Sequence, residues 1–197
     1  MRIHLYVLSV LASNAMLLAA HAQTPLPPAT RSPEVAVAYD LIGSNAPAGQ
    51  CGCFVLNGGS LTGALPLRVR GLSLAGQFSA THAGNVNGSN YDLTLETYLV
   101  GLRYTMPLKG DRIHLFVQGL IGGSHASGSL VQSPNPGSGN AGFTVAGSIG
   151  GGLDVRWKRH VSIRALEVDY QPTTFDNSTT ALENNYRISA GLVFRLR

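Results

Sequence analysis

His125 and Ser127, separated by Ala126, have the types and spacing of a catalytic base and its nucleophile. A serine nucleophile needs a neighbouring general base and an acidic residue that orients this base. No Asp or Glu occurs between Asp111 and Asp154, so this stretch of sequence does not supply the acid. His125 and Ser127 are therefore incomplete as catalytic candidates. We predict a histidine at a strand end and no enzymatic activity.

Cys51 and Cys53 are the two cysteines of the chain and stand one residue apart. Metal-binding cysteines are usually separated by two or more residues and need further ligands, which the neighbouring sequence lacks. Two free thiols and a strained disulfide both fit this spacing in an oxidising compartment. We predict neither a metal site nor a cofactor.

Ionisable residues also occur inside segments that alternate between apolar and polar positions. Six of them fall on the polar face by parity: Asp40, Glu96, Asp154, Arg156, Arg187 and Arg195. Four more join this face if β-bulges shift the alternation: Arg103, Arg164, Glu167 and Asp169. Buried charges must be paired, so we predict ion pairs between arginines and carboxylates. Such a network can fill an interior, or it can line a narrow path for ions or small solutes.

The alternation itself indicates the elements that carry these residues, because a period of two is typical of β-strands. In segment 142–157, bulky residues such as Phe143 and Ile149 alternate with small ones such as Ser148. The parity of 161–171 changes between Arg164 and Glu167, which predicts a β-bulge there. Eight strands are predicted: 35–42, 60–67, 72–81, 93–100, 113–122, 142–157, 161–171 and 186–197.

The connections between these strands alternate in length and in chemistry. Short basic turns are predicted at 68–71, 107–112 and 158–160. Long connections rich in Gly, Ser, Asn and Pro are predicted at 43–59, 82–91, 125–141 and 172–184. Short turns at one end and long loops at the other are typical of an antiparallel up-and-down barrel in a membrane.

The bulky face of the strands decides between a membrane barrel and a soluble one. A soluble ligand-binding barrel turns bulky apolar residues inward and needs a charged exterior, but only 12% of the residues are charged. An eight-stranded barrel has an interior just wide enough for side chains, which suits the small and polar face. Trp157 and Tyr186 lie near strand ends, where an aromatic belt would meet the membrane interface. We therefore predict an eight-stranded antiparallel transmembrane barrel.

The N-terminus has the features of an export signal. Leu5 to Ala20 is mainly apolar, and Ala20-His21-Ala22 is typical of a cleavage site. The predicted organisation is a signal peptide at 1–22, a Pro-rich tether at 23–33 and one barrel domain at 34–197. The formal charge of +4 comes from scattered residues, which does not favour nucleic-acid binding.

Several short motifs resemble those of a family of outer-membrane β-barrels common in environmental Gram-negative bacteria, acidobacteria among them. The matching motifs are Cys51-Gly-Cys-Phe-Val-Leu-Asn-Gly-Gly-Ser60, Asp92-Leu-Thr-Leu95, Gln118-Gly-Leu-Ile-Gly-Gly-Ser-His-Ala126, Gly150-Gly-Gly-Leu-Asp-Val155, Asp169-Tyr170 and Arg187-Ile-Ser-Ala-Gly-Leu-Val-Phe194. The resemblance implies an eight-stranded barrel of unassigned activity over roughly 34–197. Such barrels usually end on an aromatic residue that the assembly machinery recognises. Here Phe194 is followed by Arg-Leu-Arg, so Phe194 or Leu196 would serve instead. The His-x-Ser sequence also resembles that of outer-membrane lipid A deacylases.

These observations predict a monomeric protein of the cell outer membrane with a structural or surface-interaction role. The expected partners are outer-membrane lipid, lipopolysaccharide and the barrel-assembly machinery. Two alternatives stay open, a narrow porin-like path for ions or small solutes and a lipid A-modifying hydrolase at the rim.

Overall fold

The computed structural model describes residues 32–45, 53–86, 90, 92–108, 112–129, 141–175 and 182–196. They form eight strands: β1 (Glu34–Asn45), β2 (Cys53–Pro66), β3 (Leu72–Ala83), β4 (Leu93–Leu108), β5 (Ile113–Ser127), β6 (Ala141–Arg156), β7 (Val161–Thr173) and β8 (Glu183–Arg195). Each strand pairs antiparallel with the next, and β8 pairs with β1, so the sheet closes into a barrel. The predicted fold class is confirmed. The signal peptide and most of the tether lie outside the described residues.

Most of the strands are longer than the sequence pattern predicts. Residues 53–59, assigned to a long loop, form the first half of β2, where Phe54 and Leu56 point into the barrel. The predicted loop at 43–59 is therefore wrong, and the connection between β1 and β2 is 46–52. The strand predicted at 93–100 continues to Leu108 as β4. Strands of 12 to 16 residues exceed the roughly 9–11 that cross a bilayer core, so they extend beyond it.

The two ends of the barrel differ in their connections. At one end, the short-turn end, β2–β3, β4–β5 and β6–β7 are joined by 67–71, 109–112 and 157–160. At the other, the long-loop end, the connections are 46–52, 84–92, 128–140 and 174–182. Gly71 closes the first short turn at a φ of 77°, where a Cβ would lie 2.8 Å from the Thr105 carbonyl oxygen. That conformation and that contact require glycine.

Inner and outer faces of the barrel have opposite polarity. Bulky apolar side chains stand exposed on the outer face, for example Ile121 and Ile149 at 65% and Phe143 at 72%. Buried inside are many polar and charged side chains, among them Asp40, Glu167 and Arg187. Among the described residues, no helix is long and apolar enough to cross a membrane.

A β-bulge in β7 controls which charges reach the interior. Pairing between β7 and β8 shifts register between Arg164 and Glu167, as the change of parity predicted. Without the bulge, residues three apart on a strand would point to opposite faces. With it, Arg164 and Glu167 are both buried, and Ala165 and Leu166 both face outward.

Candidate functional site

The barrel interior contains a cluster of buried ion pairs that we call the charged layer. Its members are Asp40, Arg103, Asp154, Arg164, Glu167, Asp169, Arg187 and the amide Gln118. They come from β1, β4, β5, β6, β7 and β8, so the layer cross-links most of the barrel wall. All were predicted as inward charges except Gln118.

Arg187 lies at the centre of the charged layer and contacts three carboxylates. Its Nη2 donates to Asp169 Oδ2 at 2.5 Å and to Glu167 Oε1 at 2.6 Å. Its Nη1 lies 3.5 Å from Asp40 Oδ1, which also accepts a hydrogen bond from the Ser60 hydroxyl at 3.0 Å. Because its side chain is fully buried, Arg187 makes these contacts away from solvent.

Arg164 forms the second junction of the layer. Its Nε donates to Asp154 Oδ1 at 2.9 Å, and its Nη1 donates to Glu167 Oε2 at 2.7 Å. Glu167 therefore bridges Arg164 and Arg187 with its two oxygens. The bulge in β7 makes this bridge possible, since it turns both Arg164 and Glu167 inward.

Arg103 joins the layer through an amide rather than through a carboxylate. Its Nη2 donates to Gln118 Oε1 at 2.6 Å, and Gln118 Nε2 donates onward to Glu167 and Asp169. The guanidinium groups of Arg103 and Arg164 lie 4.4 and 4.5 Å from the Phe116 ring centroid. Such distances are those of cation–π contacts, so Phe116 helps to hold both cations in the buried interior.

Two glycines of β6 make room for the charged layer. A Cβ on Gly150 would lie 2.4 Å from Asp169 Oδ1, and one on Gly152 would lie 2.7 Å from the Phe116 ring. Side chains at these positions would displace the groups that pair with the arginines. Glycine at positions 150 and 152 therefore leaves the space that the charged layer needs inside the barrel.

An apolar cluster, which we call the apolar cap, occupies the interior at the long-loop end. It consists of Ile42, Phe54, Leu56, Ala83, Val86, Leu95 and Ala126, with Leu93 and Phe175 packed against it. Val86 and Phe175 belong to the first described residues of the connections that follow β3 and β7, so the starts of these two connections pack against the cluster. A second apolar cluster of Ala75, Leu99, Leu120 and Ala146 also lies inside.

Glu96 lies on the outer face of the barrel and not in the lumen, so the prediction that it faces inward was wrong. The inward residues of β4 are the apolar Leu95 and Leu99 together with Thr97 and Arg103. Parity was misleading here because both faces of β4 are largely apolar. Arg103 shares the inward parity of Leu99 and reaches the lumen without the bulge that the prediction required.

The remaining predicted charges lie at the short-turn end. Arg195 Nε donates to Glu34 Oε1 at 2.9 Å, and Arg156 is half-buried at the end of β6. Sequence reasoning missed Glu34 and Gln118 as partners. Gln118 did interrupt an otherwise apolar segment, and an isolated polar residue of that kind is a usable indication of an internal hydrogen bond.

His125 and Ser127 share the outer face of β5 near the long-loop end. The register places Glu96 of β4 directly opposite His125, so an acid is present on the neighbouring strand although none is near in sequence. Directly opposed residues in an antiparallel pair have Cβ atoms about 4.5–5.5 Å apart. In the structure, however, the Glu96 carboxylate accepts a hydrogen bond from the Tyr98 hydroxyl at 2.9 Å.

The other predicted positions have mixed outcomes. Trp157 and Tyr186 are exposed on the outer face at opposite ends of the barrel, 62% and 59% accessible. Cys51 and the side chain of Cys53, the first residue of β2, lie outside the described part. Within the described ranges, no three His, Cys, Asp or Glu side chains are grouped to hold a metal ion.

Comparison with solved structures identifies the fold. The chain is similar to Neisserial surface protein A (TM-score 0.64, 11% identity), over 83% of this chain and 97% of that one. It is also similar to Ail, the attachment invasion locus protein of Yersinia pestis (TM-score 0.54, 15% identity), over 84% of this chain and 100% of that one. Its fold is that of a small outer-membrane β-barrel. No family profile and no curated protein matches the chain by sequence, so the narrower family resemblance stays a prediction.

Proposed function

We propose that the chain is an integral outer-membrane protein with a closed lumen and a structural or surface-interaction role. The observation that carries the proposal is the inverted polarity of the barrel, with apolar side chains outside and ion pairs inside. An outward apolar face around a polar interior is the arrangement that lipid requires and that water disfavours. The fold shared with small outer-membrane barrels supports the same location.

Two layers of side chains favour a closed lumen rather than a narrow path for ions or small solutes. The charged layer holds its arginines in short contacts with carboxylates, so a passing ion would have to break buried ion pairs. The apolar cap lies beyond it toward the long-loop end and offers no polar ligands to replace the hydration shell of an ion.

The long loops supply the interaction surface in this proposal. With an even number of strands and long loops on one side, these loops face the cell exterior and the short turns face the periplasm. Segments 36–67, 71–102, 113–155 and 165–186, which include all four loops, contain no Lys or Arg. Direct ion pairs between these loops and lipopolysaccharide phosphates are therefore not available, and contact with outer-leaflet lipid rests on the apolar face.

The remaining partners and processing steps belong to the same proposal. Phe194 and Leu196 both stand exposed near the end of β8, where the assembly machinery would reach either side chain. We further propose that a signal peptide at 1–22 directs export, that the barrel is a monomer, and that it is related to barrels of environmental Gram-negative bacteria.

Reconstitution in planar bilayers tests the closed lumen. We expect the protein to migrate faster on gels when unheated, as folded barrels do, and to produce no stable single-channel conductance. The gel shift shows that the protein in the same sample is folded, so an absence of conductance then means that the lumen is closed. Stable conductance from gel-shifted protein would support the permeation alternative. An absence of the gel shift, with recovery as a soluble periplasmic protein, would contradict the membrane location.

A rim hydrolase is the second candidate, and one observation favours it: Glu96 lies opposite His125 on the outer face, with Ser127 two residues farther along. In the described part of the structure, Glu96 Oε2 accepts a hydrogen bond from the Tyr98 hydroxyl and no hydrogen bond joins His125 to Glu96, so the triad is not assembled. We expect lipid A incubated with the purified barrel to keep its mass. The hydrolase would be established if the wild-type barrel removed one acyl chain from lipid A, if Ser127→Ala abolished this activity, and if the control Thr94→Ala kept it.

A further inference from the structure

The charges of the barrel are strongly segregated between its two ends. Arg68, Arg70, Arg112, Lys158 and Arg159 are all exposed in the connections of the short-turn end. At the long-loop end, Asp92 and Glu96 are described acidic residues outside the lumen, Glu183 lies partly buried at its mouth, and the loops there contain no Lys or Arg. A basic ring at one end of a barrel attracts anionic surfaces on that side only.

Exposed apolar residues are interleaved with the basic residues of this ring. Val69 is 62% exposed between Arg68 and Arg70, and Leu67 precedes them at 39%. In the third turn, Trp157 is 62% exposed beside Lys158 and Arg159. Alternating apolar and cationic side chains suit the boundary between acyl chains and headgroups, where apolar parts insert and the cationic heads reach phosphates.

Arg112, the described residue of the second short turn, lies beside the third short turn. The Arg156 amide donates to the Arg112 carbonyl oxygen at 2.8 Å, so Arg112 lies beside the strand end that leads to Trp157. The Lys158 ammonium lies 5.0 Å from the Trp157 ring centroid, within the range of a cation–π contact. Lys158 thus contacts the exposed indole, Arg159 follows it in the same turn, and the Arg112 backbone lies beside the strand end that leads to the turn.

We propose that one part of this ring, formed by Arg112 and by Lys158 and Arg159 beside Trp157, binds anionic phospholipid headgroups, such as phosphatidylglycerol, in the periplasmic leaflet. The inference rests on the proposed membrane location and orientation. Headgroup phosphates complement the ring in charge, and the apolar residues beside it anchor the same turns in the bilayer interface.

Trp157 is the single tryptophan of the chain, so its fluorescence reports this site without any engineering. The barrel is refolded into phosphatidylcholine–phosphatidylglycerol vesicles in which either the anionic or the zwitterionic lipid carries brominated acyl chains. Bromine quenches the indole on contact, and the ratio of the two quenching curves gives the relative binding constant of the two lipids at the site.

We expect the anionic lipid to be preferred by more than about fivefold, the effect of one basic side chain near an anionic surface. The variant Arg112→Gln/Lys158→Gln/Arg159→Gln should bring the preference close to one. The control Arg68→Gln/Arg70→Gln removes charge from the turn between β2 and β3, away from Trp157, and should keep most of the preference.

The outcomes separate the inference from the proposed function. Equal quenching by both lipids in the wild-type barrel would overturn the inference while leaving membrane insertion intact. Equal losses of preference in the triple variant and in the control would also overturn it, because the effect would then come from overall charge. An indole that neither lipid quenches would instead contradict the membrane location.

Discussion

The variant Arg187→Met is expected to lose about 3–5 kcal/mol of the free energy of unfolding, the cost of removing one partner from a buried ion pair. Arg187 is fully buried, and its guanidinium contacts Asp169, Glu167 and Asp40. Methionine fills a similar volume but cannot pair with these carboxylates. Their remaining partners are Arg164 and hydrogen-bond donors such as Gln118. Urea titration of the barrel refolded in lipid vesicles measures the loss.

The matched control for this prediction is Ser148→Ala, also a buried lumen position. The Ser148 hydroxyl has no hydrogen-bond partner among the described residues, so its removal should change the free energy of unfolding by less than about 1 kcal/mol. The second control is the double variant Arg187→Met/Asp169→Asn. Removing one of the stranded carboxylates should recover part of the loss, whereas purely additive losses would show that the ion pair does not act as a unit.

Regular alternation made most of the barrel predictable, and the failures have physical causes. Segment 142–157 has bulky residues on one face and small ones on the other, so its orientation follows from what fits inside eight strands. β4 has apolar residues on both faces because its inward side packs into the apolar clusters through Leu95 and Leu99. Parity alone then cannot choose a face, and the assignment of Glu96 was wrong.

The start of β2 failed for a different reason. Gly58 and Gly59 have the composition of a loop, yet both lie within the strand. A Cβ on Gly58 would lie 2.0 Å from the Ala80 carbonyl oxygen, so glycine is required by close strand packing. Glycine selected for packing and glycine selected for a turn look the same in a sequence.

Most charged residues of the lumen could be predicted from the sequence, but their pairing could not. Inward charges followed from parity and from the bulge in β7. Which carboxylate meets which arginine depends on cross-strand register, as when Asp40 of β1 meets Arg187 of β8. The same register brings Glu96 opposite His125, an arrangement that a search along the sequence around His125 did not find.

The variant Ile149→Arg, on the outer face of the barrel, is expected to lower the free energy of unfolding. Ile149 stands 65% exposed midway along β6, opposite Gly119 of β5 and Tyr170 of β7. If this face meets lipid, an arginine near the bilayer midplane costs about 2–4 kcal/mol. The free energy of unfolding measured by urea titration in vesicles should fall by that amount.

The depth of the substitution provides the control. Val155 faces outward on the same strand, one residue before β6 ends at the short-turn end. Near the interface the cost of arginine falls to about 0–1 kcal/mol, because its long side chain reaches the headgroups. Val155→Arg should therefore be nearly neutral in the same titration.

The comparison of the two variants separates lipid from water around the barrel. In water, arginine at an exposed position would be tolerated at either depth, and both variants would behave alike. A steep difference between Ile149→Arg and Val155→Arg arises only where the exposed face crosses an apolar layer of limited thickness. Equal and small effects would mean that the bulky face of these strands does not meet a bilayer, even though the barrel is closed and its lumen is charged.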